Sequence, residues 1–459
     1  MNSAGSRLAL LLVLLLPGSA QAGERTNVMG LGMGRTAAAC ARGLDAIGIN
    51  PARLSGPENT LITISLLPFG MNAGTDFLTY DLYTEYFTGV ATDSGRVGRY
   101  LTDADKRTIL DAFDGGLGSG TLELETRALG LALDFDDVGI FAFTMTDRVA
   151  AFGRLPQEYL RFVFYGNAPG SLYDFGETSV KAAWTREYSL TYARSLPALP
   201  FIASSTAGVS IKLVQGFSYF AVERFNSVLA TSADGVLDGT VDFWSRRAGL
   251  DPAVDRMTPF PAPAGKGIAF DMGLAAAVND ILRAGLSVTD IGSISWTGGV
   301  RQTVASGVIH LDNPLDEAQR DSVEDALRGN EREGSGFSTS LPTTLRLGVA
   351  VELHRITTLR SLIYGELLVA ADYTQGLVDA PGTSTTGRFS FGLQYAPWKF
   401  LPLRAGASFW GAEGSSLAFG FGLRLGAFEL DLATETVEWL VSPGTFSRGS
   451  AALGMKLRI

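Results

Sequence analysis

Apolar and polar residues alternate with a period of two along most of the chain, most clearly toward the C-terminus. In the last segment Ala451, Leu453, Met455, Leu457 and Ile459 are apolar, and Ser450, Ala452, Gly454, Lys456 and Arg458 between them are small or charged. Successive side chains of a β-strand point to opposite faces, so such a run has one apolar face and one polar or tightly packed face. Phe428, Leu430 and Leu432 alternate with Glu429 and Asp431, Leu417 to Leu425 alternate with small residues and Arg424, and Phe389 and Phe391 alternate with Arg388 and Ser390. The pattern predicts fourteen strands: 59–70, 121–135, 138–150, 177–194, 201–230, 266–278, 281–297, 342–353, 359–374, 386–396, 402–410, 416–425, 428–437 and 449–459.

A soluble β-sandwich also alternates, so the connections decide between it and a membrane barrel. Asp136-Asp137, 195–200, Asn279-Asp280, His354 to Thr358, 397–401 and Gly426-Ala427 are short, and all fall at one end of the strands. The connections near 71–120, 151–176, 231–265, 298–341, 375–385 and 438–448 are longer and fall at the other end, together with the short 411–415 link. Tight turns on one side and long loops on the other are the habit of outer-membrane barrels. Two of the long connections are predicted to carry a helix: Asp103 to Phe113 behind a Thr102 cap, and Asp316 to Arg328.

The N-terminus agrees. Arg7, the apolar run Leu8 to Leu16 and Ala20-Gln21-Ala22 make a secretory signal peptide over 1–22. Beyond it no apolar run is long enough for a helical span, which needs about 20 residues. Of 459 residues 55 are Gly, about 12%, against a usual share near 7%. A formal net charge of −10 argues against nucleic acid as a partner. The single Cys40 excludes an internal disulfide.

Ahead of the first strand stand Met29-Gly30-Leu31-Gly32-Met33-Gly34 and, further on, Asn50-Pro51-Ala52-Arg53-Leu54. A dinucleotide fold needs a hydrophobic strand just before such glycines, and the apolar leader lies there instead. Residues 28–54 resemble the start of the FadL/PorV-type outer-membrane barrels, where a Leu-Gly-Met-Gly segment leads through a small helix to Asn-Pro-Ala-x-Leu. Weaker likenesses over 266–292 and 402–432 resemble an uncharacterised branch of that superfamily. The resemblance implies an all-β transmembrane antiparallel barrel of about fourteen strands over 59–459, with an N-terminal hatch over 23–58 folded into its lumen. Carried over by position, the hatch motif is Gly32, Gly34, Asp45, Asn50, Pro51 and Ala52. On their own chemistry, Pro51 holds its φ and restricts Asn50, which makes a fixed turn with or without a gating role. The chain departs from the pattern at Ile459, where many such barrels end in a Phe read by the barrel-assembly machinery.

In this register Asp271, Arg283, Arg346, Glu352, Arg388, Arg404, Arg424, Glu429, Asp431, Glu435, Lys456 and Arg458 face the lumen. Charges in a dry interior must pair, touch the hatch or meet water. Fixing the hatch in place accounts for them as well as lining a path does. His310 and His354 lack metal-ligand spacing, and no nucleophile motif accompanies them, so no enzyme, cofactor or metal is expected. The acidic residues Asp103/Asp105 and Asp312/Asp316/Glu317 lack the spacing of a calcium loop. The resemblance implies a passive outer-membrane channel for a small hydrophobic molecule in a Gram-negative cell, with outer-membrane lipid and that ligand as partners. The alternative is a PorV-like scaffold that holds secreted proteins at the surface, and a third class is a water-filled porin.

Overall fold

The computed structural model describes residues 25–55, 61–93, 95–135, 137–197, 200–250, 258, 260–313, 315–380, 383–411 and 414–459. The signal peptide, its cleavage site and the expected boundary at 58/59 lie outside the described residues.

Fourteen strands among the described residues close into one ring. They are β1 (Ile62–Ser65 and Phe69–Thr75, one strand interrupted at 66–68), β2 (Leu117–Asp134), β3 (Ile140–Pro156), β4 (Ser179–Ser195) and β5 (Ser204–Phe225). Then come β6 (Gly265–Ala277), β7 (Leu282–Trp296), β8 (Thr344–Glu352), β9 (Glu366–Gly376) and β10 (Arg388–Trp398). The last are β11 (Leu401–Trp410), β12 (Ser416–Leu425), β13 (Phe428–Thr434) and β14 (Arg448–Arg458). Each pairs antiparallel with its successor. β14 returns to β1, with Thr63 opposite Arg458 and Phe69 opposite Leu453. Closure satisfies both edges of every strand, which an open sheet cannot do in lipid.

The alternation then sorts the faces. Ile211, Leu213, Phe270, Met272, Leu347, Phe391 and Phe419 are exposed on the outside, and their neighbours Lys212, Asp271, Arg346, Ser390 and Gly420 are buried inside. So much exposed apolar surface is unfavourable in water, at roughly 25 cal/mol per Å², and at home against acyl chains. Trp398 at the short-turn rim and Trp410 at the long-loop rim are both exposed, where indole rings suit the interface. The ring is an outer-membrane barrel, and its short-turn end faces the periplasm.

Three departures from the expected strand plan have local causes. The first strand runs on to Thr75 past a break at 66–68, where Leu67 has φ 43° and Pro68 supplies no N–H. Instead of starting at 359, β9 starts at Glu366. Ile356, Leu359 and Ile363 follow helical rather than strand spacing, and their backbone folds into turns (Leu359 N to Ile356 O 3.0 Å, Ile363 N to Leu359 O 3.0 Å). The connections 231–265 and 298–341 are not plain loops. Leu237–Gly249 pairs with the upper end of β5 and with Arg301–Leu311, which makes an external sheet. The helix Glu317–Arg328 covers it, and Leu237, Val241, Ala305 and Ile309 form its small core with Val323.

Candidate functional site: the barrel lumen

Residues 25–54 lie inside the ring, nearly all buried. A five-residue helix Val28–Gly32 and two 3-10 turns, Gly43–Ala46 and Pro51–Leu54, give them local order. Asn50 is extended (φ −147°), as a residue before proline must be, and its side chain accepts from Ala52 N at 3.1 Å. Its amide donates to Ala38 O (2.9 Å) and to Leu274 O of β6 (3.1 Å), so it ties the segment to itself and to the wall. Pro51 lies against Gly208, and the carbonyl of Ala52 accepts from Thr206 at 3.0 Å. Gly32 packs on Gly420, and Gly34, at φ +66°, packs on the backbone of Ala407.

Wall side chains reach in from around the ring. Asp372 accepts the N–H groups of Ala37 (2.7 Å) and Ala38 (2.8 Å), and Arg127 donates to Leu44 O (2.8 Å). Lys456 binds Asp45, and it stands 3.6 Å from both Glu429 and Asp431. Asp431 pairs with Arg404, while Glu429 pairs with Arg424 (3.0 Å) and Arg458 (2.8 Å). Glu435 receives Arg35 and Arg25, and Arg25 also meets Glu123. Glu352 takes Arg283 and Arg355. Arg388 is buried on the inner face of β10, opposite Trp410.

Toward the external side a second ionic layer crosses the lumen. Arg148 contacts Glu187 (2.6 Å), Asp290 (3.3 Å) and Glu125 (3.4 Å). Lys212 contacts Asp290, Asp271 (2.8 Å) and Glu187 (3.7 Å). Arg346 donates to Thr289 at 2.7 Å, and its charge acts on Asp290, as that of Arg127 does on Glu125. Four cations thus face four carboxylates, the balance that a water-poor interior requires.

Above this collar the lumen turns apolar. Trp296, only 1% exposed, packs with Tyr219 (ring centroids 5.3 Å apart), Ile294 and Leu341. Its indole N–H donates to Thr339 at 2.9 Å. Trp296, Tyr219, Ile294 and Leu341 line a cavity of about 40 Å³, together with small and hydroxyl-bearing residues of the neighbouring strands and, on the collar side, Arg148 and Glu187.

Residues 117–435 match the model of a family of unknown function, DUF5723. The chain belongs to that family. No curated protein matches it. Among solved structures it is similar to the toluene transporter TodX of Pseudomonas putida, with 12% identity, 95% of this chain and 99% of that chain covered, and a TM-score of 0.48. It is also similar to the toluene transporter TbuX of Ralstonia pickettii (14%, 95% and 99%, TM-score 0.46) and to a Pseudomonas aeruginosa FadL homologue (14%, 96% and 98%, TM-score 0.45).

In this DUF5723 chain the matched stretch holds the whole collar and omits residues 25–54. Sequence reasoning named Asp271 and Arg346 but missed Glu125, Arg127, Arg148, Glu187, Lys212 and Asp290. For Lys212 a signal existed, a lone cation between Ile211 and Leu213. For Asp290 it did not. A bulge opposite Phe270/Met272 and φ +59° at Asp290 turn both Thr289 and Asp290 inward, which strict alternation forbids. The histidines lie apart from the lumen layers: exposed His310 pairs with Asp238 (2.7 Å), and His354 meets the backbone of Leu367 near the short-turn rim. The Asp238 hydrogen bond raises the His310 pKa. Asp105 caps its own helix, and among the described residues no His/Cys/Asp/Glu group has metal-holding geometry.

Proposed function

We propose that the protein is a passive outer-membrane conduit for a small hydrophobic molecule, captured at the external end and released past residues 25–54, which act as its hatch. The observation that carries this reading is the aromatic-walled cavity stacked on the ionic collar and the N-terminal segment. At about 40 Å³ it has room for a few waters, each needing roughly 10–15 Å³, and falls short of the roughly 150 Å³ of a cavity that takes up benzene. That cavity is therefore too small for such a cargo as it stands, and passage through it requires the collar and hatch to shift. A balanced collar offers a permeating ion no net attraction, which favours an uncharged cargo over a porin's role. Uptake of labelled apolar solutes, toluene and long-chain fatty acid among them, by cells with and without the protein tests it. We expect a several-fold fall on deletion, restored by the wild-type gene and not by Trp296→Arg. Equal uptake with and without the protein refutes the conduit.

The external sheet favours a second reading. Leu237–Gly249, Arg301–Leu311 and the helix Glu317–Arg328 form a platform with its own core and with exposed Val308 and Leu327. A scaffold for secreted proteins would use that platform. Co-purification of secreted partners, lost on removal of 300–333 with uptake unchanged, is its signature.

A further inference from the structure

The outer face of the wall carries a depression near its periplasmic rim. Ser205 of β5, Ala276 of β6 and Ala284 of β7 stand side by side across the strands, in a row that ends at Leu196 and Val349. Alternation turns them outward with Val209, Leu274 and Leu286, which are exposed on the same strands. In the next row, away from the turn at 278–281, Leu274, Leu286 and Leu347 are neighbours. Beside those long side chains the three short ones leave the wall low. The result is a groove of about 480 Å³, within the roughly 300–1,000 Å³ of small-molecule sites.

One buried hydroxyl faces this apolar groove. Ser205 is 8% exposed, lines the groove, and its Oγ has no hydrogen-bond partner among the described residues. An unpaired buried hydroxyl is unfavourable, and in hydrocarbon no water is at hand to relieve it. Arg194 of β4, opposite Ala207, is exposed on the same face and makes no ion pair or hydrogen bond among the described residues. From the periplasmic end of a strand such a side chain reaches down to the level of lipid phosphates.

We propose that this groove is a binding site for one glycerophospholipid of the periplasmic leaflet. An acyl chain lies over Ala276 and Ala284, an ester carbonyl accepts from Ser205 Oγ, and Arg194 pairs with the phosphate. Position fixes the class of occupant, because a groove on the lipid side of a closed ring is filled from the bilayer. Charge complementarity narrows it to an anionic head group. A two-fold contact between barrels through the same groove would instead bring Arg194 toward its own copy. The site lies outside the lumen, so it stands apart from the conduit reading.

Native mass spectrometry of the folded protein, delipidated in dodecyl maltoside, tests this. The probes are dioleoyl phosphatidylglycerol and, as the phosphate-free control, dioleoylglycerol. One saturable phosphatidylglycerol adduct is expected, weakened about tenfold or more in Ala276→Phe/Ala284→Phe, whose rings fill the groove. Arg194→Gln should weaken it about fivefold, the loss of one exposed charge pair, and dioleoylglycerol should bind the wild type as weakly. Should the double variant fail to assemble, Ser205→Leu carries the same comparison by filling the groove from one side and removing the hydroxyl. No saturable adduct, binding unchanged in either variant, or equal binding of the two lipids overturns the proposal. A dimer in place of lipid adducts, lost in Ala276→Phe/Ala284→Phe, overturns it in favour of a contact between two barrels.

Discussion

Lys212 is 1% exposed and faces three carboxylates, so at the residue scale this one ammonium group holds together three of the collar's four acids. Removing one partner of a buried ion network leaves uncompensated charge and costs about 3–5 kcal/mol. Lys212→Met is therefore expected to lower the urea midpoint of the folded barrel in detergent by that equivalent, whereas Lys266→Met, at an exposed position of β6, leaves it unchanged. Equal midpoints would show that Lys212 adds nothing to the stability of the collar. Cys40 reports on a different contact. Its thiol is buried inside the N-terminal segment, donates to Thr36 O at 3.3 Å, and is pushed up to about 12 by burial and by Asp372. At pH 8 the reactive thiolate is then scarce as well as inaccessible. Maleimide should leave the folded protein unlabelled at pH 8 and label it fully after heating in SDS. Labelling of the folded form at a measurable rate would report excursions of the segment from the lumen.

At the scale of elements, the fit between segment and wall accounts for part of the glycine excess. A Cβ on Gly208 would run into the Pro51 backbone, and one on Gly273 into the Asn50 side chain. Gly285, Gly392 and Gly406 meet Ala38, Thr36 and Met33 in the same way. At Gly208, Gly285 and Gly406 one backbone lies directly on another. Overpacking such a contact costs about 1–3 kcal/mol if the chain holds its position. Gly208→Val should instead displace residues 25–54 and leave the ring intact. Limited proteolysis would then cut the segment while β2 to β14 stay resistant. A variant as resistant as wild type throughout would show that the wall yields and the segment does not.

For the molecule as a whole, the ring and its filling are separable. Ring closure rests on backbone pairing and on the apolar outer face, neither of which involves residues 25–54. Deleting 25–55 should therefore leave a barrel that still runs as a compact, heat-modifiable species on gels. It should also raise ion conductance in planar bilayers well above that of the full chain. A silent deletion variant would mean that the collar of Arg148, Lys212 and their carboxylates seals the lumen unaided. A variant that fails to assemble would mean that the segment organises the ring, as its ties to Asp372, Arg127 and Lys456 allow.

The sequence by itself determined the two faces of the strands, and its sorted connections then pointed to a ring: a period of two puts Phe389, Phe419 or Leu453 on one face and Arg388, Gly420 or Gly454 on the other, whatever the neighbours are. Strand number and the sorting of turns followed from the same local signal, as did the Asn50-Pro51 turn, because pre-proline geometry is set within two residues. Only the tertiary structure decided which charges meet. Arg25 finds Glu123 and Glu435, and Arg148 finds Glu125, Glu187 and Asp290, across strands far apart in the chain. A bulge that no alternation reports turned Asp290 inward. The external sheet was half legible, in Leu237, Val241 and Phe243 against Asp238 and Asp242, but its pairing with Arg301–Leu311 needed the fold to bring the two runs together. Alternation is a property of neighbours along a chain, and ion pairing and register shifts are properties of neighbours in space.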